Sequence, residues 1–241
     1  MINLYIDIET IPAQRPDLIA EIRASQEAKL NDAIASLSAP GNYGAEAAAK
    51  YIANKAEAMR ASFDADVDEA YRKTGLDGSF GQICVIGLAV DSGPIITVHS
   101  LDESDVLRRY NTILSSMIQE HEQFNVCVIG HNVALFDLRF LMHRHIVNRI
   151  KPHFITVRSA SAKPWESDKV YDTMIQWAGT GSKVSLDKLC KALSIDSPKS
   201  DITGATVWDA VKAGRLEDVA EYCGHDVDAT RQVHQRMTFQ S

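Results

Sequence analysis

The sequence predicts an α/β fold built on one mixed sheet. Three observations carry that expectation: strand-like alternation at the N-terminus, a strand hairpin followed by an amphipathic helical stretch, and a short, wholly apolar segment with helices after it. A chain of 241 residues, 45% hydrophobic and 24% charged, with 13 Gly and 7 Pro, has the composition of one folded domain rather than a disordered or fibrous chain.

From Ile2 to Ile8 apolar and polar side chains alternate, so Leu4, Ile6 and Ile8 point one way while Tyr5, Asp7 and Glu9 share the other face. Residues 14 to 75 hold 16 Ala, many charges and few aromatics, which is a helical composition. Pro40 and Gly41 divide this stretch into two helical segments, and the run from Gly75 to Gly81 ends it. It reads as an Ala-rich helical insertion (14–75) after the first strand of a single domain spanning 1–241. Substrate clamping, packing on the body and dimerisation all stay open as its role.

Strands resume at Gln82 to Val90 and at Ile95 to His99, joined by the hairpin signal Asp91-Ser92-Gly93-Pro94. Between Ser104 and His121, Val106, Leu107, Tyr110, Ile113, Leu114, Met117 and Ile118 keep a 3.6-residue period, predicting a helix packed on the sheet. Val126 to Ile129 is apolar throughout, as in a strand buried on both faces. Leu138, Leu141, Met142 and Ile146 return to helical spacing. Ser185 caps a helix running through Leu193, Thr206 opens one that stops at Gly214, and a last helix runs from about Leu216 to Met237.

Several function classes are excluded at this level. The longest apolar run, Ile83 to Val90, is too short to cross a bilayer, and Asp7 and Glu9 stand where a signal peptide needs a basic start. Cys84, Cys127, Cys190 and Cys223 form no CxxC pair, which argues against zinc ligation and a disulfide scaffold and for reduced thiols in the cytoplasm. The net charge of -7 disfavours a generic polyanion binder. Arg139 to Lys169, however, is a locally basic stretch with His143, His145 and His153 besides, and it is the candidate for contacts to a nucleic-acid backbone. Trp165, Trp177 and Trp208 are expected in core or interface positions and are assigned no stacking role.

Three patterns carry chemistry. Asp7-Ile8-Glu9-Thr10 places two carboxylates on one strand face, where they can hold a hard cation between them. Gly130-His131-Asn132-Val133-Ala134-Leu135-Phe136-Asp137 delivers a carboxylate from a strand end to the mouth of a helix, a place where α/β folds put ligands. Complementing the helix dipole is the plainer use of Asp137. Tyr222-Cys223-Gly224-His225-Asp226 stacks Tyr222 and Asp226 on one helix face beside a buried stripe.

In this order the three patterns resemble the exonuclease motifs of the DEDD superfamily of 3′-to-5′ exonucleases. The chain is similar in particular to stand-alone exonucleases related to the proofreading domain of family-B DNA polymerases. The resemblance covers Ile2 to Ile11 and most of Gly81 to Met237, including Ser185-Leu186-Asp187-Lys188-Leu189. Tyr stands four residues before the last carboxylate and Glu, not His, stands five before it, which is the pattern of the tyrosine branch (DEDDy). His225, rotated by roughly 100° around the helix, is not the equivalent of the histidine in the other branch.

The resemblance implies an RNase H-like mixed sheet flanked by helices and removal of nucleoside 5′-monophosphates from the 3′ end of nucleic acid, with single-stranded DNA as the expected substrate. It further implies two Mg²⁺ or Mn²⁺ ions about 3.5 to 4 Å apart. Asp7 would bridge them, Glu9 and Asp226 would complete one site, Asp137 would hold the other, and Tyr222 would orient the attacking water. Thr10 would contact the terminal nucleotide through its backbone, and Asn132 and Phe136 would support the site. Three rivals stay open: a 3′-5′ exoribonuclease, a catalytically silent nucleic-acid-binding module, and a hydrolase of small phosphoesters. Partners beyond a DNA or RNA 3′ end, whether a second copy or replication and repair proteins, are left unassigned. No membrane partner is expected.

Overall fold

The N-terminal alternation becomes β1 (Ile2–Ile11), the middle strand of a five-stranded sheet of order β3-β2-β1-β4-β5. The protein is described here from a computed structural model covering residues 1–163, 165–196 and 201–240. β2 (Gln82–Val90) runs antiparallel to β1, and β3 (Ile96–His99) antiparallel to β2. β4 (Val126–Gly130) and β5 (Val170–Asp172) continue the sheet in parallel on the other side. Parallel neighbours need helical crossovers, and the sequence between them supplies these.

The two faces of β1 divide the molecule. Leu4, Ile6 and Ile8 are buried in the main core with Val106, Leu107, Tyr110 and Leu114 of α3 (Glu103–Met117) and Leu138 and Leu141 of α4 (Asp137–Val147). On the opposite face Tyr5 joins Ala89, Ile129 and Val227. Val227 belongs to α9 (Leu216–Met237), which lies across β1, β2 and β3 with α8 (Val207–Lys212) and α7 (Leu186–Leu193) packed beside it. The sheet is thus sandwiched between helices, and the acidic face of β1 looks toward α9.

The insertion forms α1 (Pro16–Ala35) and α2 (Ala45–Lys73), separated by the turn at Pro40 and Gly41. No residue of α1 and only Ala56 of α2 is buried, so the pair packs mainly on itself. Its end is tied to the sheet: Thr10 Oγ1 donates to Gly75 O at 2.7 Å, and the Ala13 amide donates to Thr74 Oγ1 at 2.9 Å.

Three elements run short of the sequence reading. β5, α5 (Phe154–Ala160) and α6 (Thr173–Ala178) have no counterpart in the sequence pattern, because three to seven residues show no resolvable period. The basic stretch also needs correction. Arg144 and His145 are buried, and Arg158 donates to the Val126 and Phe124 carbonyls, so these groups serve the interior instead of a strand backbone. Trp165 and Trp177 are exposed, not core.

Arg144 shows what the interior demands. Its guanidinium forks onto Glu103, with Nε to Oε1 at 2.9 Å and Nη2 to Oε2 at 2.8 Å, while Glu103 Oε1 also accepts the Ile83 amide at 2.7 Å. Both side chains are under a tenth exposed. Arg144→Met keeps most of the volume but strands a buried carboxylate, so a loss of roughly 3 kcal/mol is expected in chemical denaturation. An unchanged denaturation midpoint would show that the pair is dispensable.

Candidate active site

The site begins with the register of β1. Asp7 pairs with Gly87 of β2, and a Cβ added at Gly87 would lie 2.9 Å from Val227 Cγ2 and 3.0 Å from Cys223 Sγ. The missing side chain lets α9 press directly on the sheet at the level of Asp7. A register shift between Glu9 and Thr10 then turns the strand after the second carboxylate.

Asp137 arrives from the other side. It opens α4 after the β4 turn, in which Asn132 takes φ 64°. The turn is fixed by Asp172, which accepts from the amides of Asn132 and Ala134 at 3.0 Å each and, as N-cap of α6, from Met174 and Ile175. Sequence reasoning missed Asp172; the following Thr-Met-Ile-Gln-Trp-Ala helix is too short to advertise its cap. With the turn held, Asp137 Oδ1 accepts the Ile8 amide at 3.1 Å, which seats it against β1 between Asp7 and Glu9.

The third contribution comes from α9. Cys223 Sγ donates to Asp7 Oδ2 at 3.4 Å, and ligand atoms of Asp7, Glu9 and Cys223 all lie within 4.8 Å of one another. The sequence shows Cys223 only as part of the buried stripe; its approach to Asp7 is a tertiary contact with no local signal. Asp226 acts electrostatically on both Asp7 and Glu9, and the Tyr222 hydroxyl interacts with the Asp226 carboxylate. Tyr222 also lines an outer cleft of about 300 Å³ with His225, Glu221 and Arg215.

Electrostatics follow from this crowding. Burial pushes Asp7 well above the usual carboxylate range, and the charges of Glu9, Asp137 and Asp226 push it further. Glu9 is raised in the same way, by burial and then by Asp226 and Asp137. Burial lifts Asp137 to about 7 against the opposing pull of its own amide and that of Ile8, and it raises Asp226 as well. Tyr222 and Cys223 are pushed up too, first by burial and then by the surrounding carboxylates, so both stay protonated.

Among the described residues the groups acting on Asp7 and Glu9 are carboxylates and a thiol, not Lys or Arg. Buried Glu9 and Asp137 converge with half-buried Asp7 and Asp226, so the four repel one another, and a set of carboxylates beside a neutral thiol suits a hard divalent ion. The donor set therefore fits Mg²⁺ or Mn²⁺.

The supporting residues sit less centrally. Thr10 spends its hydroxyl on Gly75, and the backbone N–H of Asn132 donates to Asp172. Phe136 is half-buried against the main core, its ring 5.5 Å from that of Phe140.

Residues 76–241 match a family model described as a predicted 3′-5′ exonuclease related to the exonuclease domain of PolB. The match takes in Asp137, Tyr222 and Asp226 and begins after β1 with its Asp7 and Glu9. Among solved structures the fold is similar to the family B DNA polymerase from the hyperthermophilic archaeon Pyrobaculum calidifontis, at 10% identity and a TM-score of 0.55. The alignment covers 99% of this chain and 24% of the polymerase chain, so this chain spans about a quarter of that protein. The likeness bears on the fold alone, an RNase H-like mixed α/β sheet. No curated protein matches the chain. Among the described residues no helix is long and apolar enough to cross a membrane.

Proposed function

The chain belongs to the family of predicted 3′-5′ exonucleases related to the exonuclease domain of PolB, and from that premise we propose that it is a metal-dependent exonuclease of single-stranded DNA. The observation that carries this reading is the meeting of Asp7, Glu9, Asp137, Asp226 and Tyr222 from β1, α4 and α9 in one acidic pocket. DNA is chosen because the related domain is that of a DNA polymerase.

In this reading Asp7, Glu9, Asp137 and Asp226 hold two divalent ions, Mg²⁺ or Mn²⁺. Bound there, such ions supply an activated water and stabilise charge on the phosphate and leaving oxygens. Asp7, the acid on which the other three act, would be the carboxylate shared between the ions. The Ile8 amide keeps Asp137 aimed at β1, where its carboxylate would hold an ion directly or through water. Tyr222, protonated throughout the working range, orients the attacking water as a hydrogen-bonding partner and is not itself a base. The water oxygen bonds to phosphorus, the P–O3′ bond breaks, and the leaving oxygen takes up a proton, releasing a nucleoside 5′-monophosphate. Thr10, Asn132 and Phe136 shape the approach of the terminal nucleotide. A silent binding module would lack one of the four acids or the tyrosine, and all five are present.

A time course on 5′-labelled single-stranded DNA, duplex DNA and RNA, with Mg²⁺, Mn²⁺ or EDTA, tests the proposal. Stepwise shortening from the 3′ end that needs metal is expected, fastest on single-stranded DNA. Faster loss of RNA would reassign the substrate, and no shortening of any strand by folded protein would remove the activity. Tyr222→Phe deletes one hydroxyl with little change in volume; a fall in kcat of roughly ten- to a thousandfold at near-constant KM is expected. Parent-like kcat would strip Tyr222 of its role.

A further inference from the structure

Two thiols border the acids, and the reaction just described uses neither. Cys223 of α9 is fully buried, and its Sγ lies 3.4 Å from Asp7 Oδ2 and 3.5 Å from the Asp7 carbonyl oxygen. Cys84 of β2, equally buried, donates its S–H to the Glu9 carbonyl at 3.5 Å. Both belong to one core cluster with Ile11, Val85, Val219 and Ala220, so β1, β2 and α9 meet around them.

The backbone fixes where each thiol sits. Glu9 pairs with Val85 and Thr10 with Ile83, so Cys84 faces no partner on β1 and is the extra residue of the bulge. Cys223 is seated over Gly87, the residue opposite Asp7, where an added Cβ would come within 3.0 Å of its sulfur. The sulfur therefore reaches Asp7 at the one level where β2 offers no side chain to push it away.

Asp7 is half-buried, and three carboxylates act on it. Repulsion of that kind turns an unrestrained carboxylate toward water, and an ion would have to draw it back before binding. A neutral donor prevents the turn without cancelling the charge. A lysine in the same place would orient Asp7 but also take over the ion's electrostatic part, whereas a thiol is a weak, uncharged donor that leaves the carboxylate negative.

We propose that Cys223 and Cys84 are positioning residues of the metal pocket. The Cys223 S–H orients the Asp7 carboxylate, and the Cys84 S–H holds the bulge that turns the strand after Glu9, so both acids are in place before an ion arrives. The proposal rests on the metal-dependent reading above and adds to it two residues that are not themselves acids.

Mn²⁺ affinity of the full chain, without nucleic acid, is measured at pH 8 from the electron paramagnetic resonance signal of the free ion, with thermal melts in EDTA alongside. Cys223→Ala is expected to bind Mn²⁺ about ten- to a hundredfold more weakly, and Cys223→Ser, which keeps a donor, to come within about threefold of the parent. Cys84→Ala is expected to lose about tenfold. Cys127→Ala removes a thiol that bonds the Ser167 carbonyl on β4, away from the acids, and is expected to bind as the parent does. Should Cys223→Ala melt below the assay temperature, Cys223→Val fills the space without a donor and takes its place.

Parent-like affinity without the Cys223 donor overturns the proposal. A serine variant as weak as the alanine one overturns it too, because volume and not the donor then sets the affinity, and so does an equal loss in Cys127→Ala. Parent-like affinity in Cys84→Ala removes the part assigned to the bulge. A parent that binds no Mn²⁺ and shortens DNA in EDTA loses the metal reading itself, whereas a parent that binds Mn²⁺ beside an unaltered Cys223→Ala loses only the thiols.

Discussion

Replacing Asp7 by Asn is expected to abolish nucleotide release while making the metal-free protein more stable. Asp7 is the acid on which the other three carboxylates and Cys223 all act, so no neighbour can take over its place between the ions. A drop of at least about a thousandfold in turnover is expected, the scale associated with losing a principal electrostatic group at a reacting phosphate or carbonyl. The same substitution removes a half-buried acid that faces three like groups. The cost of holding those acids together, with carboxylates and a thiol as the groups acting on Asp7 and Glu9 among the described residues, is carried by the fold. In a chain of this size each 1 kcal/mol recovered raises the melting temperature by about 2–4 °C. Gel assays with either metal and thermal melts in EDTA check the two halves. Parent-like turnover removes Asp7 from the site, whereas lost turnover with a lower melting temperature marks it as a structural residue.

That trade of stability for function is partly legible in the sequence. Period-2 alternation over Ile2 to Ile8 suffices to put Leu4, Ile6 and Ile8 in the core and Asp7 and Glu9 on the far face, because each strand residue reports its own side. Tyr222 and Asp226 are legible as a helical pair for the same reason. Contacts that arise only when separate elements meet are not. The S–H of Cys223 on Asp7 joins positions far apart in the chain, and nothing near Cys223 signals it. Asp172, which fixes the turn that delivers Asp137, sits on a strand of three residues, below the length at which alternation can be seen. Arg144 misleads in the opposite sense. A cation in a basic stretch reads as surface, and its burial depends on Glu103, whose burial in turn depends on the Ile83 amide. The bulge after Glu9 and the bare face of Gly87 likewise acquire meaning only once α9 lies on the sheet.

The crowded acids also set a joint dependence on pH and metal, with the sign fixed by the direction of their shifts. Asp137 titrates at about 7 in the folded protein against 3.8 in an unperturbed chain. Between those values the folded state keeps a proton that the unfolded state has lost, so the stability of the metal-free protein falls as pH rises from about 4 to about 7 and then levels off. At 1.36 kcal/mol for each pH unit the full loss from Asp137 is about 4 kcal/mol. Asp7, Glu9 and Asp226 are shifted in the same direction and carry the loss further. A divalent ion binds the deprotonated set, so it restores most where the loss is complete and little where the acids are still protonated. Melts with Mg²⁺ or Mn²⁺ are therefore expected to rise well above those in EDTA at pH 8 and to approach them at pH 5, with turnover absent in EDTA throughout. An equal metal-induced rise at both pH values would place the ions at acids of ordinary titration, away from this pocket. Turnover persisting after exhaustive chelation would show that the carboxylates do their work without a cation, which their mutual repulsion in a buried pocket makes hard to sustain.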